Sequence, residues 1–68
     1  MSDRSGDRLL TPEEVSVLLG VAERTLAAWR RGEYAVAGPS WIGVTRSTIR
    51  YRESDVMAWL EERKAISR

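Results

Sequence analysis

The chain predicts a mainly α-helical domain with one small β-hairpin, and three observations lead there. Two segments with helical spacing of apolar residues meet at a glycine, Gly20. Two short β-rich runs, WIGVT and TIRYR, stand only two residues apart. A third helical stripe begins directly after the second run. At 68 residues there is room for one domain, and a chain this short buries only about 60% of the surface its unfolded form exposes, so stability is modest.

Taken in order, residues 1–8 are small, polar and charged without periodicity, and are expected to form a loose arm ahead of a domain spanning residues 9–66. Thr11 is a good N-cap, Pro12 suits the first helical position and Glu14 the third, so TPEE forms a capping box. Leu10 and Val15 supply the hydrophobic staple that goes with it. Val15, Leu18, Leu19 and Ala22 then follow helical spacing toward a core, and Gly20 can take the left-handed conformation that ends a helix. In the second helix Ala22, Leu26 and Trp29 fall on one face, with Arg24, Ala27, Ala28 and Arg31 on the other and Gly32 as the stop.

EYAVAGPS, residues 33–40, reads as a connecting loop. With Arg46 and Ser47 at the turn of the hairpin, Val44 is expected opposite Ile49 and Ile42 opposite Tyr51 on the apolar face. Thr45 with Thr48, Gly43 with Arg50 and Trp41 with Arg52 then fall on the polar face. Arg-Ser lacks the glycine that a primed turn favours, which leaves room for a longer or bulged tip. Ser54 or Asp55 is expected to cap a last helix whose buried stripe is Val56, Trp59 and Leu60. A lone two-stranded hairpin is marginal, so its apolar face must rest on all three helices. Two helices joined by a short glycine turn cross steeply, and the whole reads as a helix-turn-helix with a wing.

Composition narrows what such a domain does. With no Cys and no His, the chain has neither disulfides nor the usual zinc ligands, and it lacks the groups of Ser-His-Asp and Cys-His catalysis. No enzymatic activity, metal or cofactor is expected. At 43% hydrophobic and 31% charged, the chain has the make-up of a globular domain. No apolar run is long enough for a membrane span, and MSDRSGDR lacks the apolar region of a signal peptide, so the expectation is a cytoplasmic protein with no membrane partner and no small-molecule ligand.

The net charge of +1 conceals an uneven distribution. Residues 1–20 carry −2 and residues 53–68 carry −1, whereas residues 21–52 set six arginines against Glu23 and Glu33, giving +4. Each arginine has an ordinary explanation, such as Arg30 and Arg31 facing the negative end of a helix dipole. Jointly they cover the second helix and the polar face of the hairpin, which fits a surface that tracks the phosphates of double-stranded DNA. The candidate contacts are Arg24, Thr25, Ala28, Arg30 and Arg31 on the helix and Arg46, Ser47, Arg50 and Arg52 on the wing. Arginine reaches guanine O6 and N7 or phosphate, and small alanines permit close approach to a groove. Trp29 and Trp59 fall on apolar stripes. Trp41 has three possible placements: stacked on Arg52, against a neighbouring copy, or half-buried at the base of the wing.

LTPEEVSVLLGVAERTLAAWRRGE, followed by a hairpin ending IRYRESDVMAWLEER, resembles the small excisionase and AlpA-like DNA-binding proteins, whose winged helix-turn-helix is similar to the DNA-binding part of MerR regulators. The resemblance covers residues 9–63, and with so arginine-rich a composition it is closest in character to excisionases of phages that infect actinobacteria. It implies a recombination directionality factor: a non-enzymatic accessory that binds near a phage attachment site, bends the DNA and helps an integrase excise a prophage. By position, Arg24, Thr25, Ala28 and Arg31 match the groove-facing surface of that family, and Arg46 and Arg50 match its wing. Two departures stand out: Ala22 occupies a position where many relatives have Ser or Thr as a cap, and the Glu33 to Ser40 loop is longer than usual. A small transcriptional regulator of the AlpA type on the same fold is the nearest alternative, and a protein-interaction module whose arginines serve solubility is a more distant one. One module reads few base pairs and no heptad stripe offers a coiled coil, so head-to-tail self-association on DNA is the expected assembly.

Overall fold

A computed structural model describes residues 7–35 and 37–66, with side chains described up to residue 63; residues 1–6 of the expected arm lie outside the described residues. The elements run β1 (Leu9–Leu10), α1 (Pro12–Leu19), α2 (Glu23–Arg30), β2 (Ile42–Thr45), β3 (Thr48–Arg52) and α3 (Glu53–Ile66). Three helices and a small antiparallel hairpin make a winged helix-turn-helix.

Local signals set the helix ends. Glu14 donates its backbone N–H to Thr11 Oγ1 at 3.1 Å, and Thr11 returns its own N–H to Glu14 Oε1 at 2.9 Å, completing the capping box. That backbone donor, aided by the charges of Arg8 and Arg50, holds the Glu14 carboxyl below its ordinary range. Gly20 ends α1 at φ 72°, and the Val21 N–H turns back to the Ser16 carbonyl. α2 starts at Ala22 with no side-chain cap. It ends in a Schellman motif: Gly32 sits at φ 73°, its N–H bonds to the Trp29 carbonyl, and the Glu33 N–H reaches the Ala28 carbonyl.

The sheet has three strands in the order β1, β3, β2, so the wing hairpin gains a third strand from Leu9 and Leu10. Thr45 faces Thr48 as expected, but the ladder is irregular between Gly43 and Thr45, and beyond it Gly43 faces Ile49 and Ile42 faces Arg50. This corrects the anticipated pairing of Ile42 with Tyr51 and of Val44 with Ile49. Among the described residues no non-glycine has a positive φ, so Arg46 and Ser47 do not form a primed turn, and a bulge accommodates the strand twist instead. A one-residue slip exchanges faces. Ile42 accordingly moves to the side of Arg50, Val44 is left exposed, and Trp41 is carried toward Tyr51, with which it lines a cleft. Trp41 stays exposed at 44% beside that cleft and is not stacked on Arg52.

Leu10, Val15, Leu26, Tyr51 and Val56 form the core, joined by Leu19, Val21, Trp29, Ile49 and Leu60 at its margin. α1 turns its Val15 and Leu19 edge inward, which leaves Leu18 half-exposed against expectation. α3 follows β3 without a loop, and its first turn is capped from far away. Asp7 Oδ1 accepts the Ser54 N–H at 3.0 Å, and the Arg8 carbonyl accepts the Glu53 N–H at 2.9 Å. Asp7 and Arg8 therefore belong to the packed domain instead of to the arm, and the cap comes from neither Ser54 nor Asp55.

That contact makes a pH prediction. The Ser54 backbone N–H, and more weakly the charge of Arg52, holds the Asp7 carboxyl below its ordinary value. A depressed folded pKa means the contribution is complete above the unfolded value and is lost as the pH falls through the folded one. The thermal midpoint should decline as pH drops below the ordinary carboxylate range, and less steeply in Asp7→Asn, which keeps a capping side chain without the charge. Parallel acid limbs in the two proteins would remove any role for the charge.

Candidate nucleic-acid interface

At about 100° per residue, Glu23, Arg24, Ala27 and Arg31 share one side of α2, opposite the Leu26 and Trp29 edge that enters the core. Arg24 is exposed and makes no hydrogen bond or ion pair with a described residue. Arg31 is exposed too, but its Nε donates to Glu33 Oε2 at 2.6 Å, which keeps the Glu33 carboxyl below its ordinary range and raises the Arg31 pKa. Thr25 lies half-buried at the edge of this surface.

Two of the anticipated helix contacts are placed otherwise. Ala28 is only 6% exposed, so it does not present a groove-facing surface. Arg30 turns inward, and its Nη1 donates to Tyr51 Oη at 2.7 Å in a partly buried bond across 21 residues.

On the wing, Arg46 and Ser47 project from the tip, both exposed. The Ser47 backbone N–H bonds to Thr45 Oγ1 at 3.2 Å, which steadies the turn, and Arg46 has no partner among the described residues. Arg50 is half-buried, donates Nη1 to the Ile49 carbonyl at 2.7 Å, and sends its charge toward Glu14 of α1. Arg52 is exposed and stands 4.0 Å from Asp55 in a loose pair across the β3 to α3 junction. The free guanidiniums thus sit on α2 and at the wing tip, and the others are partly engaged within the fold.

The loop between α2 and the wing carries an arrangement that composition did not announce. Trp29 and Trp59 meet at 5.5 Å between ring centroids, Trp59 Nε1 donates to the Ala37 carbonyl at 2.9 Å, and Arg63 lies 5.1 Å over the Trp59 ring. Gly38 is pressed on Trp29 so closely that a Cβ there would lie 2.4 Å from ring atom Cε3. The same ring also packs against Trp59. Gly38→Ala should therefore cost about 1–3 kcal/mol by overpacking, read as a lower urea midpoint. An unchanged midpoint would mean that the loop does not press on Trp29. GPS in the sequence signals a turn, but only the fold shows that Trp29 leaves no ready space for a Cβ there.

Among the described residues no helix is long and apolar enough to cross a membrane, and no group of His, Cys, Asp and Glu could hold a metal ion. No curated protein and no solved structure matches the chain. A family model described as a helix-turn-helix domain matches residues 9–64, nearly every element just described. The first two helices, their glycine turn and the following hairpin all fall within that match, and with them the chain belongs to the helix-turn-helix domain family, a frame that suggests DNA binding.

Proposed function

We propose that this protein is a sequence-specific, DNA-bending accessory factor that binds a prophage attachment site in several copies and promotes excision by an integrase. The observation that supports DNA binding most directly is the pair of exposed, unpartnered guanidiniums, Arg24 on α2 and Arg46 at the wing tip, on a helix-turn-helix frame. Arg31, Thr25, Ser47, Arg50 and Arg52 extend the surface. α2 reads base edges in the major groove, and the wing arginines hold phosphate. The recombination role rests on the resemblance to excisionases, and the factor itself performs no chemistry. It works in the cytoplasm of a bacterial host, on the nucleoid.

Size dictates the assembly. A module of this kind buries about 600–1,000 Å² of its surface on DNA, too little to single out one genomic site. Copies therefore line up head to tail on adjacent direct repeats, and neutralising one side of the duplex bends it. Two in-phase repeats should bind far more tightly per copy than one.

Arg24→Ala should reduce the preference for the specific site over random DNA by about 1–3 kcal/mol while leaving the fold intact. Lowered thermal stability with unaltered site preference would make Arg24 structural. The biological role is tested by reconstituting excision with the integrase and attachment-site DNA. Stimulation of excision is the expected result. Binding and bending without stimulation would transfer the protein to the AlpA-type regulators.

A further inference from the structure

α1 packs on both α2 and β3 and so carries part of their relative angle. The rest depends on side chains that span α2 and the wing directly. Leu26 and Tyr51 share the core, an apolar contact with little directional preference. The Arg30 to Tyr51 hydrogen bond is different in kind. Tyr51 lies in the central strand, paired with Leu10 on β1, and is only 1% exposed, so its hydroxyl is a fixed point. Arg30 occupies the last turn of α2, and its planar, charged fork meets that hydroxyl at 2.7 Å. Among the described residues this is the side-chain hydrogen bond that joins α2 to the sheet. Both residues line a cleft of about 310 Å³ together with Trp29, Pro39 and Trp41, the region where α2, the loop and the wing converge.

We propose that Arg30 is a positioning residue whose hydrogen bond to Tyr51 fixes the wing relative to the recognition helix, so that both engage one duplex. This rests on the DNA-binding reading above and adds that one arginine of the basic segment acts through the fold instead of on phosphate. The guanidinium of Arg30 is committed inward, whereas Arg24 and Arg46 are free. Tyr51 in the core strand and Arg46 at the tip belong to one hairpin, so a change at the hydroxyl is transmitted rigidly to the tip.

The test uses the full chain with Arg30→Met, which keeps the apolar stem, Tyr51→Phe, which removes only the hydroxyl, and the double variant. Without DNA, urea unfolding should show that the double variant loses no more than either single one. On a duplex selected in vitro for tight binding, each variant should bind about three- to tenfold more weakly, the range of one hydrogen bond, at an unchanged salt slope. Arg46→Ala should weaken binding in the wild-type background and by clearly less in Tyr51→Phe, where the wing is out of place. If Arg30→Met instead flattens the salt slope by about 1 and Tyr51→Phe binds like wild type, Arg30 is a phosphate contact and the proposal falls. If Arg46→Ala costs the same in both backgrounds, the bond serves only stability and the proposal falls likewise. Absence of any DNA binding by the wild-type protein would instead remove the DNA-binding reading itself, a result separable from failure of the Arg30 variants alone.

Discussion

Raising monovalent salt from about 50 to 200 mM should lower the DNA affinity of this protein by about two to three orders of magnitude. The expectation follows from five arginines: Arg24 and Arg46, which are free, and Arg31, Arg50 and Arg52, which would exchange internal contacts for phosphate. Each neutralised phosphate releases condensed counterions and contributes about −0.9 to the slope of log affinity against log salt, so these residues together give a slope on the order of −4 to −5. Arg46→Ala should flatten it by about 1, because its exposed guanidinium has no internal partner to fall back on. Arg31 should contribute less than a full increment, since Glu33 holds it at 2.6 Å and competes with phosphate. Fluorescence anisotropy over a salt series measures all of this. A slope near zero would end the DNA-binding reading and favour a protein-interaction module.

Leu26→Ala should abolish the folded state at 25 °C. Leu26 is fully buried between Leu10, Val15, Tyr51 and Val56, where the helices meet the sheet. Truncating a buried leucine costs about 2–5 kcal/mol, from lost transfer energy and the cavity left behind. A core of this size rarely supplies more than about 3–5 kcal/mol in total, and there is no disulfide in reserve. Far-UV circular dichroism should report the collapse, and specific DNA binding should vanish with it. Leu18→Ala is the control, because Leu18 is 49% exposed and its loss should change stability by less than about 0.5 kcal/mol. Equal damage from the two substitutions would mean that α1 is rotated from the orientation described.

Every helix and both hairpin strands were legible from local chemistry, as was their order along the chain. Thr11 and Glu14 satisfy each other's backbone donors within a single turn, and Gly20 and Gly32 adopt positive φ because each follows the end of a helical stripe. Such signals act over three to six residues, so they survive without knowledge of the rest of the chain. The concentration of positive charge in residues 21–52 was equally plain, since it is a property of composition.

What each arginine does with its charge belongs to the tertiary structure. Arg24, Arg30 and Arg31 are neighbours in one segment, yet one is free, one reaches Tyr51 across the core and one is held by Glu33. Helical phase sets Arg30, one turn after Leu26, apart from Arg24 and Arg31, but it names none of their partners, which arrive from a strand and a turn. Ala28 looked outward by its spacing and is covered, and Leu18 looked inward and is half-exposed. In helices of eight residues a face is defined by very few positions, and the neighbours decide its width. The hairpin register turned on a bulge between Gly43 and Thr45, which trades Ile42 for Trp41 on the side of Tyr51. Asp7 caps a helix 47 residues away. A local pattern states which groups need partners; only the folded chain, by bringing distant segments within about 3 Å, determines which partners they find.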